Sequence, residues 1–317
     1  MPENTSFTTE EIARLLKISK LKVYDLIKKG ELPSYRVGKQ MRVDLSDLEA
    51  YKQNSRHGVA APATPGGGVP SAAPAPYSSK PASRSIVITG QDMSLDILAT
   101  HLERSMPGAR PLRSYAGSLD SLIAMYHGES DIVSTHLLDG DTGQYNLPYI
   151  RKLLVGLSYV VVHMLARNAG FYVRQGNPKG ITDWSALRRT GVVMVNRERG
   201  SGARVLLDEQ LRLHSIPAAE LAGYDTEENS HLAVAGKVAR GEADVGIGIE
   251  KAAKIIDGLE FIPLIRERYD LVMIKNTSTE PWIQTVIDTL RSSTFQDELS
   301  SIHGYDLSET GSILYET

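Results

Sequence analysis

The sequence predicts a small helix-turn-helix domain, a linker and a larger α/β domain, in that order along the chain. Residues 1–55 contain two short helical patterns followed by two alternating strands, which is typical of a winged helix-turn-helix. Residues 56–84 are rich in Pro, Ala, Gly and Ser, a composition that disfavours a packed core and indicates a flexible linker. Residues 85–317 alternate strand and helix patterns, which favours an α/β fold with a mostly parallel sheet.

The first helix of the small domain has a recognisable start. Thr8 and Glu11 have the spacing of a capping box, in which each residue bonds the backbone N–H of the other. The apolar stripe that follows is Ile12, Leu15 and Leu16. We therefore expect this helix to pack its Ile/Leu face against the second one.

A second helix and a ribbon complete the small domain. Ser19 is the expected N-cap of the helix, and Gly30 its C-terminal stop. Its inward face is Val23, Leu26 and Ile27. The following stretch "SYRVGKQMRVDL" alternates polar and apolar residues across a Gly38-Lys39 turn, which predicts two paired strands before a last helix, "LSDLEAYKQ".

Basic residues of this domain are candidates for DNA contact. Residues 1–56 hold eleven Lys and Arg against eight Asp and Glu, whereas the rest of the chain holds twenty-four against thirty, so a polyanion would meet the small domain. Four candidates lie on the outer side of the second helix and three on the ribbon: Lys20, Lys22, Tyr24, Lys28, Arg36, Lys39 and Arg42. The alternative is a basic surface that only meets solvent.

The small domain resembles the excisionase-type winged helix-turn-helix. The resemblance rests on "TTEEIARLLKISKLKVYDLIKKGELPSYRVGKQMRVDLSDLEAY", which covers nearly all of residues 5–52. It implies that the second helix reads double-stranded operator DNA and that this domain has no catalytic activity of its own.

Composition narrows the classes of protein further. The chain has no cysteine, which excludes disulfides, thiolate metal sites and cysteine nucleophiles. Its first residues lack the basic and then apolar pattern of an export signal, and no apolar run reaches the roughly 18 residues that cross a bilayer. We therefore expect a cytoplasmic protein with no membrane partner.

In the larger domain, polar turns follow three predicted strands and precede helices. They lie at Gln91-Asp92, at Gly117-Ser118 and at the Gly-Ser-Gly of "NRERGSGAR", residues 196–204. Open α/β sheets bind ligands at the carboxyl ends of their strands, and helix N-termini attract anions, so we expect one cleft for a small anion.

Nucleotide and catalytic sites are disfavoured. "GSGAR" lacks the spacing of a triphosphate-binding loop, and "VGIGIE" has too few glycines for a dinucleotide site. Ser201 has no evident His and Asp partners. The histidines, among them His163, His214 and His303, do not have the spacing of metal ligands, so neither a cation site nor a cofactor is expected. We expect that the protein is not an enzyme.

The larger domain resembles the type II periplasmic-binding-protein-like domains of cytoplasmic regulators related to molybdate- and tungstate-binding proteins. The motifs that carry the resemblance are "YAGSLDSLIAMYHGESDIVSTHLLD", "GDTGQYNLPYI", "VNRERGSGARVLLDEQL", "HLAVAGKVARGEADVGIGIEKAA" and "ERYDLVMIK". It implies two α/β lobes with a ligand between them. Residues 165–267 would form most of the second lobe, and the connections would lie near "YVVVHMLARN" and "RYDLVMI".

Matching these motifs implies a set of ligand-binding residues on four turns: Gln91, Asp92, Met93, Gly117, Ser118, Ser201, Gly202, Ser230 and His231. Two departures weaken a molybdate-like site. Ile249 stands where those binders have a tyrosine, for which Tyr269 is a candidate replacement, and the Asp92 carboxylate would repel an anion unless it is protonated or turned away.

Three further residues are candidate ligand contacts. Arg199 and Arg204 could offset Asp92 or bind an organic acid, but they could equally form salt bridges with Glu198 or Asp208. Thr135 follows a strand and could either line the cleft or only end the strand.

The sequence as a whole predicts a one-component transcriptional regulator that binds operator DNA as a homodimer. Its effector is expected to be a small oxyanion, with tungstate or molybdate favoured by the resemblance and an organic acid as the alternative. Two rival functions stay open: a ligand-independent, excisionase-like DNA accessory protein, and an enzyme acting on a molybdenum-cofactor precursor.

Overall fold

A computed structural model describes residues 6–16, 20–28, 32–37, 40–54 and 84–317. The chain divides into two compact units, Met1–Pro76 and Tyr77–Thr317. The predicted linker, residues 56–84, lies outside the described residues except for Arg84. None of the described helices is both long and apolar enough to span a bilayer.

The first unit is a winged helix-turn-helix, as predicted. Its elements are β1 (Ser6–Thr8), α1 (Thr9–Leu16), α2 (Lys20–Lys28), β2 (Tyr35–Val37), β3 (Gln40–Asp44) and α3 (Leu45–Asn54). The strands form an antiparallel sheet in the order β1-β3-β2. The helices and this sheet enclose one small core, formed by Ile12, Val23, Leu26, Leu32, Val43 and Leu48.

The predicted capping box is present at the start of α1. The Thr8 backbone N–H donates to Glu11 Oε2 at 2.8 Å, and the Glu11 N–H donates to Thr8 Oγ1 at 3.4 Å. The apolar face is narrower than predicted, because Leu15 is 49% exposed while Ile12 is fully buried. The predicted caps and turn of the next elements, Ser19, Gly30 and Gly38-Lys39, lie outside the described residues.

Within residues 84–317, the second unit contains ten strands and eight helices. Its strands are β4 (Arg84–Thr89), β5 (Ala109–Ser114), β6 (Ile132–Thr135), β7 (Tyr159–Arg174), β8 (Met194–Arg197), β9 (Glu227–Glu228), β10 (Val245–Ile249), β11 (Leu259–Ile274), β12 (Tyr305–Asp306) and β13 (Ile313–Glu316). Its helices are α4 (Ser94–Ser105), α5 (Ser118–Tyr126), α6 (Leu147–Leu153), α7 (Gly202–Leu213), α8 (His231–Ala239), α9 (Glu250–Ile255), α10 (Glu280–Arg291) and α11 (Ser293–Ser300). Two short 3-10 helices cover Trp184–Arg188 and Ala218–Glu220.

These strands form one curled sheet that runs through two lobes. Eight of them follow the order β5-β4-β6-β11-β7-β10-β8-β9, and β12 and β13 each pair with β7 outside this order. The first lobe contains the parallel strands β5, β4 and β6, and the second lobe contains the parallel strands β10, β8 and β9. The crossing strands β7 and β11 pair antiparallel to each other. β7 is also antiparallel to its neighbour β10, and β11 to its neighbour β6, so the sheet is mixed rather than mostly parallel as predicted.

The crossing strands connect the lobes. Each has 16 residues, about 50 Å of extended chain, and they pair from Tyr159 opposite Ile274 to Arg174 opposite Leu259. The stretches "YVVVHMLARN" and "RYDLVMI" lie within them. Most of β7 is buried, which explains why its sequence is a nearly continuous apolar run. Each lobe therefore builds its core on the same pair of strands.

Candidate functional site

A cavity of about 440 Å³ lies between the lobes of the second unit. Five helices begin at this cavity, and each of them follows a strand of the sheet. Its lining includes the first residue, or the residue before it, of α4, α5, α7, α8 and α9. This is the cleft that the polar turns predicted, at the carboxyl ends of β4, β5 and β8.

Helix N-termini supply hydrogen-bond donors to this cavity. Ser118, Gly202 and His231 are the first residues of α5, α7 and α8, and all three line it. Among the described residues, none accepts a hydrogen bond from the backbone N–H of these three. Ser201 and Ser230 cap the last two helices by accepting from the N–H groups of Arg204 and Ala233. Free N–H groups and the positive ends of three helix dipoles therefore face a common space, an arrangement that favours anions.

The structure brings most of the predicted ligand residues together. Those that line the cavity are Gln91, Asp92, Met93, Gly117, Ser118, Ser201, Gly202, Ser230, His231 and Tyr269. Thr135, Arg199 and Arg204 do not. The Thr135 hydroxyl is buried and donates to Asn146 Oδ1 at 3.2 Å, so it ends a strand.

The two arginines form ion pairs away from the cavity. The Arg199 side chain is 79% exposed and lies 3.7 Å from Glu227. Arg204 is buried between Asp208, at 3.1 Å, and Glu227, at 2.8 Å, and its guanidinium lies 4.3 Å from the centre of the Tyr224 ring. Both arginines therefore form salt bridges, but only the Arg204–Asp208 pair is one of those named from the sequence. Glu227 is a partner of both, and Glu198 pairs with Arg197 instead.

Arg167 of β7 is a buried cation at the cavity that sequence reasoning missed. It forms ion pairs with Asp92 and with Glu267, the latter at 2.5 Å from Nε to Oε1, and its guanidinium lies 4.6 Å from the centre of the Tyr269 ring. Asp92 also accepts from the Tyr305 hydroxyl at 2.5 Å. Burial raises the pKa of Asp92, but Arg167 and Tyr305 outweigh burial, so the pKa is lower than its usual value. The carboxylate is therefore ionised, and the charge of Arg167 balances it. Asp92 thus lines the cavity as a buried carboxylate whose charge is already paired.

Glu267 completes this network. Its second oxygen lies 3.1 Å from His136 Nδ1. Burial raises the pKa of Glu267, but Arg167 and His136 outweigh that effect and bring it to about 2. The Arg167 charge is therefore shared between two buried carboxylates and leaves little attraction for a ligand.

Arg197, the last residue of β8, bridges the two lobes. Its Nη2 donates to Gln91 Oε1 at 2.6 Å and to Glu198 Oε1 at 2.8 Å, and Gln91 Nε2 donates to the same Glu198 oxygen at 2.9 Å. The backbone N–H of Leu119 also donates to the Gly200 carbonyl at 3.0 Å. The cleft is therefore held closed by direct contacts between the lobes.

Lys251 and His231 are two polar side chains of the cavity lining that are available to a ligand. Lys251 makes no ion pair with any described residue, and its Nζ contacts Met93 Sδ and, at 3.4 Å, the Tyr305 hydroxyl. Burial lowers the pKa of Lys251. His231 Nδ1 is buried with no hydrogen-bond partner in the described part of the chain, and burial together with Arg197 and Arg167 lowers the pKa of His231 well below its usual value. A cation that has no ion pair with the described residues and a neutral imidazole thus line the cavity, beside the paired Arg167 and Arg197.

Tyr269 is already hydrogen-bonded. Its hydroxyl lies 2.6 Å from Ser134 Oγ and accepts from the Asp92 backbone N–H at 3.4 Å. Ile249 contributes an apolar wall to the cavity.

The residues missed by sequence reasoning had weak signals. Arg167 is a charged residue within the buried run "YVVVHMLARN", where an ion needs a partner, and that anomaly was a usable clue. Lys251 follows the "VGIGIE" strand at a helix start and looks like any surface lysine. Arg197 lies in the stretch "NRERGSGAR", two residues before Arg199, for which the sequence leaves ligand contact and a salt bridge equally open.

The predicted DNA-binding residues lie on the expected elements of the first unit. Lys22 and Tyr24 are exposed on α2, and Arg42 Nη1 on β3 donates to Ser6 Oγ at 3.1 Å. Lys20 and Lys28 lie in α2 and Arg36 in β2, with side chains outside the described part of the structure. Lys39 lies outside the described residues.

The described residues contain no group of side chains arranged as metal ligands. Within residues 6–54, apart from the gaps given above, and residues 84–317, no three His, Asp or Glu side chains are grouped as ligands for a metal ion.

Comparisons with known proteins match both units. Residues 6–56 match the model of a helix-turn-helix domain, and residues 99–291 match that of a PBP superfamily domain. The chain is 47% identical to the uncharacterized protein YvgK of Bacillus subtilis, over the whole of both chains.

Solved structures share the two-lobed fold. One is a substrate-binding protein from Clostridium perfringens with bound phosphate, with a TM-score of 0.51 and 16% identity, matching 70% of this chain and 98% of that one. Another is the sulfate-binding protein SubI of Mycobacterium tuberculosis, with a TM-score of 0.51 and 15% identity, matching 70% of this chain and 86% of that one.

Proposed function

Because this chain belongs to the PBP superfamily and carries a helix-turn-helix domain ahead of its binding domain, we propose that it is a transcriptional regulator controlled by a small anion. In this proposal the protein is not an enzyme and acts in the cytoplasm, where its operator DNA is. The observation that carries the proposal is the cavity itself. Three helix N-termini and a lysine that makes no ion pair with the described residues face one space, in the same chain as a DNA-binding fold.

The hydrogen-bond donors at the helix N-termini favour a ligand that carries an oxyanion group. A tetrahedral oxyanion can accept from the N–H groups of Ser118, Gly202 and His231 while Lys251 balances its charge. Tungstate and molybdate are the oxyanions that the sequence resemblance favours. Binding proteins of the same fold hold phosphate or sulfate, which supports an anion in general.

Control of DNA binding follows from the position of the cavity between two lobes. A ligand that contacts both lobes binds the closed arrangement better than the open one and shifts the population toward it. Typical couplings of this kind are about 1–3 kcal/mol, or about 5- to 150-fold in DNA affinity. We expect a homodimer, since two helix-turn-helix units can then read a two-fold symmetric site.

The full-length protein allows a direct test. Genomic fragments bound by the protein would be selected, and the affinity for the best fragment measured with and without tungstate, molybdate, sulfate, phosphate or small carboxylates. Thermal unfolding with each anion would be followed in parallel. An anion at a hundred times its Kd should stabilise the protein by about 2.7 kcal/mol and change the DNA affinity at least about fivefold.

Two results would contradict the proposal. If no anion, inorganic or organic, stabilises the protein, the cavity is not an anion site. If an anion binds but DNA affinity is unchanged, the protein is a ligand-independent DNA accessory factor.

A further inference from the structure

We infer that the ligand of this cavity is an organic anion, with an acidic group at the helix N-termini and an apolar or aromatic body held between the lobes. The inference rests on the proposed function and specifies the chemical class of its effector. It comes from the size of the cavity and from the kinds of side chain at its mouth.

The cavity is larger than a free oxyanion requires. A tetrahedral oxyanion has five heavy atoms, each about the size of a water molecule, which occupies about 30 Å³ in the liquid. Such an ion would fill roughly 150 Å³, about a third of the 440 Å³ present. Sites for organic ligands are typically about 300–1,000 Å³, so this volume fits a molecule with a body beyond its charged group.

The remaining volume is bordered by large apolar side chains that solvent reaches. Met93, Tyr115, Leu232 and Ile255 all line the cavity, with exposed fractions of 45%, 66%, 45% and 58%. Single exposed apolar residues are common on protein surfaces, but four around one cavity form a patch that a ligand would cover. Buried Ile249 and Ala252 extend this apolar wall inward.

These apolar residues come from both lobes. Met93 and Tyr115 precede α4 and α5 in the first lobe, whereas Leu232 and Ile255 lie on α8 and α9 in the second. An apolar body between them loses contact with water on both sides only when the lobes are closed. The organic part of the ligand thereby stabilises the closed arrangement of the lobes. A free oxyanion at the helix N-termini lacks this apolar body and stabilises closure less.

Charge is placed to orient such a ligand. Arg167 is neutralised by Asp92 and Glu267, and Arg197 by Glu198, which leaves Lys251 as a cation that forms no ion pair with the described residues. Lys251 contacts Met93 and, like Ile255, belongs to α9. The acidic group and the apolar body can therefore be bound side by side.

The test compares matched probes on the full-length protein. Calorimetry would measure Kd for inorganic phosphate against phenyl phosphate and for acetate against phenylacetate, with sulfate, molybdate and tungstate as further free anions. We expect at least one phenyl compound to bind about tenfold or more tightly than its partner and than every free oxyanion, because the ring buries apolar surface that the smaller probe lacks.

A double variant tests the apolar residues. Leu232→Ala with Ile255→Ala changes two half-exposed side chains, so the fold should be retained. It should reduce the phenyl preference to about threefold or less without weakening phosphate binding. The control Leu213→Ala removes a similarly exposed leucine, at 48%, that does not line the cavity, and should leave the preference unchanged.

The outcomes separate the two proposals. If a free oxyanion binds as tightly as every phenyl probe, or if the double variant keeps the preference, the organic-anion inference is wrong while anion sensing stands. If neither kind of anion binds, anion sensing fails and the inference fails with it.

Discussion

Gln91 of the first lobe accepts a 2.6 Å hydrogen bond from Arg197 of the second lobe, across the mouth of the cleft. Glu198 ties the pair together by accepting from both. The contact links lobe closure to residues that also line the cavity. A ligand and this bridge therefore stabilise the same closed arrangement.

Replacing Gln91 by Ala should open the cleft. The variant loses the amide that bonds Arg197 and Glu198, at about 1 kcal/mol for each hydrogen bond. The chain has no native cysteine, so Thr100→Cys and Ser185→Cys, both exposed and on different lobes, can carry spin labels. The mean distance between the labels should increase in the variant.

The matched control for this measurement is Gln284→Ala. Gln284 is also exposed, but its amide donates to Asp288 within α10. The label distance should stay at its original value in this control. Equal distances in the Gln91 variant and the parent would show that the bridge does not hold the lobes.

Replacing Glu267 by Gln should destabilise the protein and alter its acid sensitivity. The change leaves Arg167 with only one of its two carboxylates, and breaking a buried ion pair costs about 3 kcal/mol or more. The pKa of Glu267 is lowered to about 2 from 4.5, so its charge stabilises the fold above pH 4.5 and that stabilisation is lost as the pH falls toward 2. Urea unfolding from about pH 7 to pH 3 measures both effects.

The expected result has a matched control. The free energy of unfolding should fall less steeply with decreasing pH in Glu267→Gln than in the parent, because glutamine does not titrate. Glu129→Gln, an exposed position after α5, should preserve the stability at pH 7. An unchanged pH slope in the Glu267 variant would argue against the Arg167–Glu267 pair as a source of stability.

Much of the fold was predictable because its signals are local. The capping box of Thr8 and Glu11 and the helices after each strand follow from adjacent residues. The antiparallel crossing strands were not predicted as such. Their direction depends on pairing between Tyr159 and Ile274, which are distant in sequence, and a buried apolar run does not distinguish parallel from antiparallel neighbours.

The parts of the site that backbone N–H groups form were predictable from the sequence. The parts that depend on which side chains reach the cavity were less predictable. Turns at helix starts identified Ser118 and Gly202, since a strand followed by a helix orients its N–H groups. Which arginine faces the cavity depends on tertiary partners. Arg199 is exposed whereas Arg197 is buried against Gln91, and nothing local in the sequence distinguishes them.

Replacing Lys251 by Met should weaken anion binding without destabilising the protein. Its ammonium makes no ion pair with any described residue, so the fold loses little, whereas a bound anion loses a charge-assisted contact. We expect the Kd for phosphate or phenyl phosphate to increase about tenfold, measured by calorimetry, with Tm nearly unchanged. Lys254→Met, an exposed lysine on the same helix, is the control and should keep the parent Kd. Equal affinity in both variants would remove Lys251 from the anion site.

Replacing Lys22 by Ala should weaken DNA binding regardless of sequence. Lys22 is exposed on α2, the helix that the resemblance makes the reader of the groove. If it contacts a phosphate, its loss releases about one fewer counterion, so the slope of log K against log salt should become shallower by about one. Affinities for the selected operator and for an unrelated duplex should fall by a similar factor, measured by fluorescence anisotropy over a range of salt. Lys254→Ala, in the ligand-binding unit, should leave the slope as it is. A loss confined to the operator, with the salt slope unchanged, would assign Lys22 to a base edge instead of a phosphate.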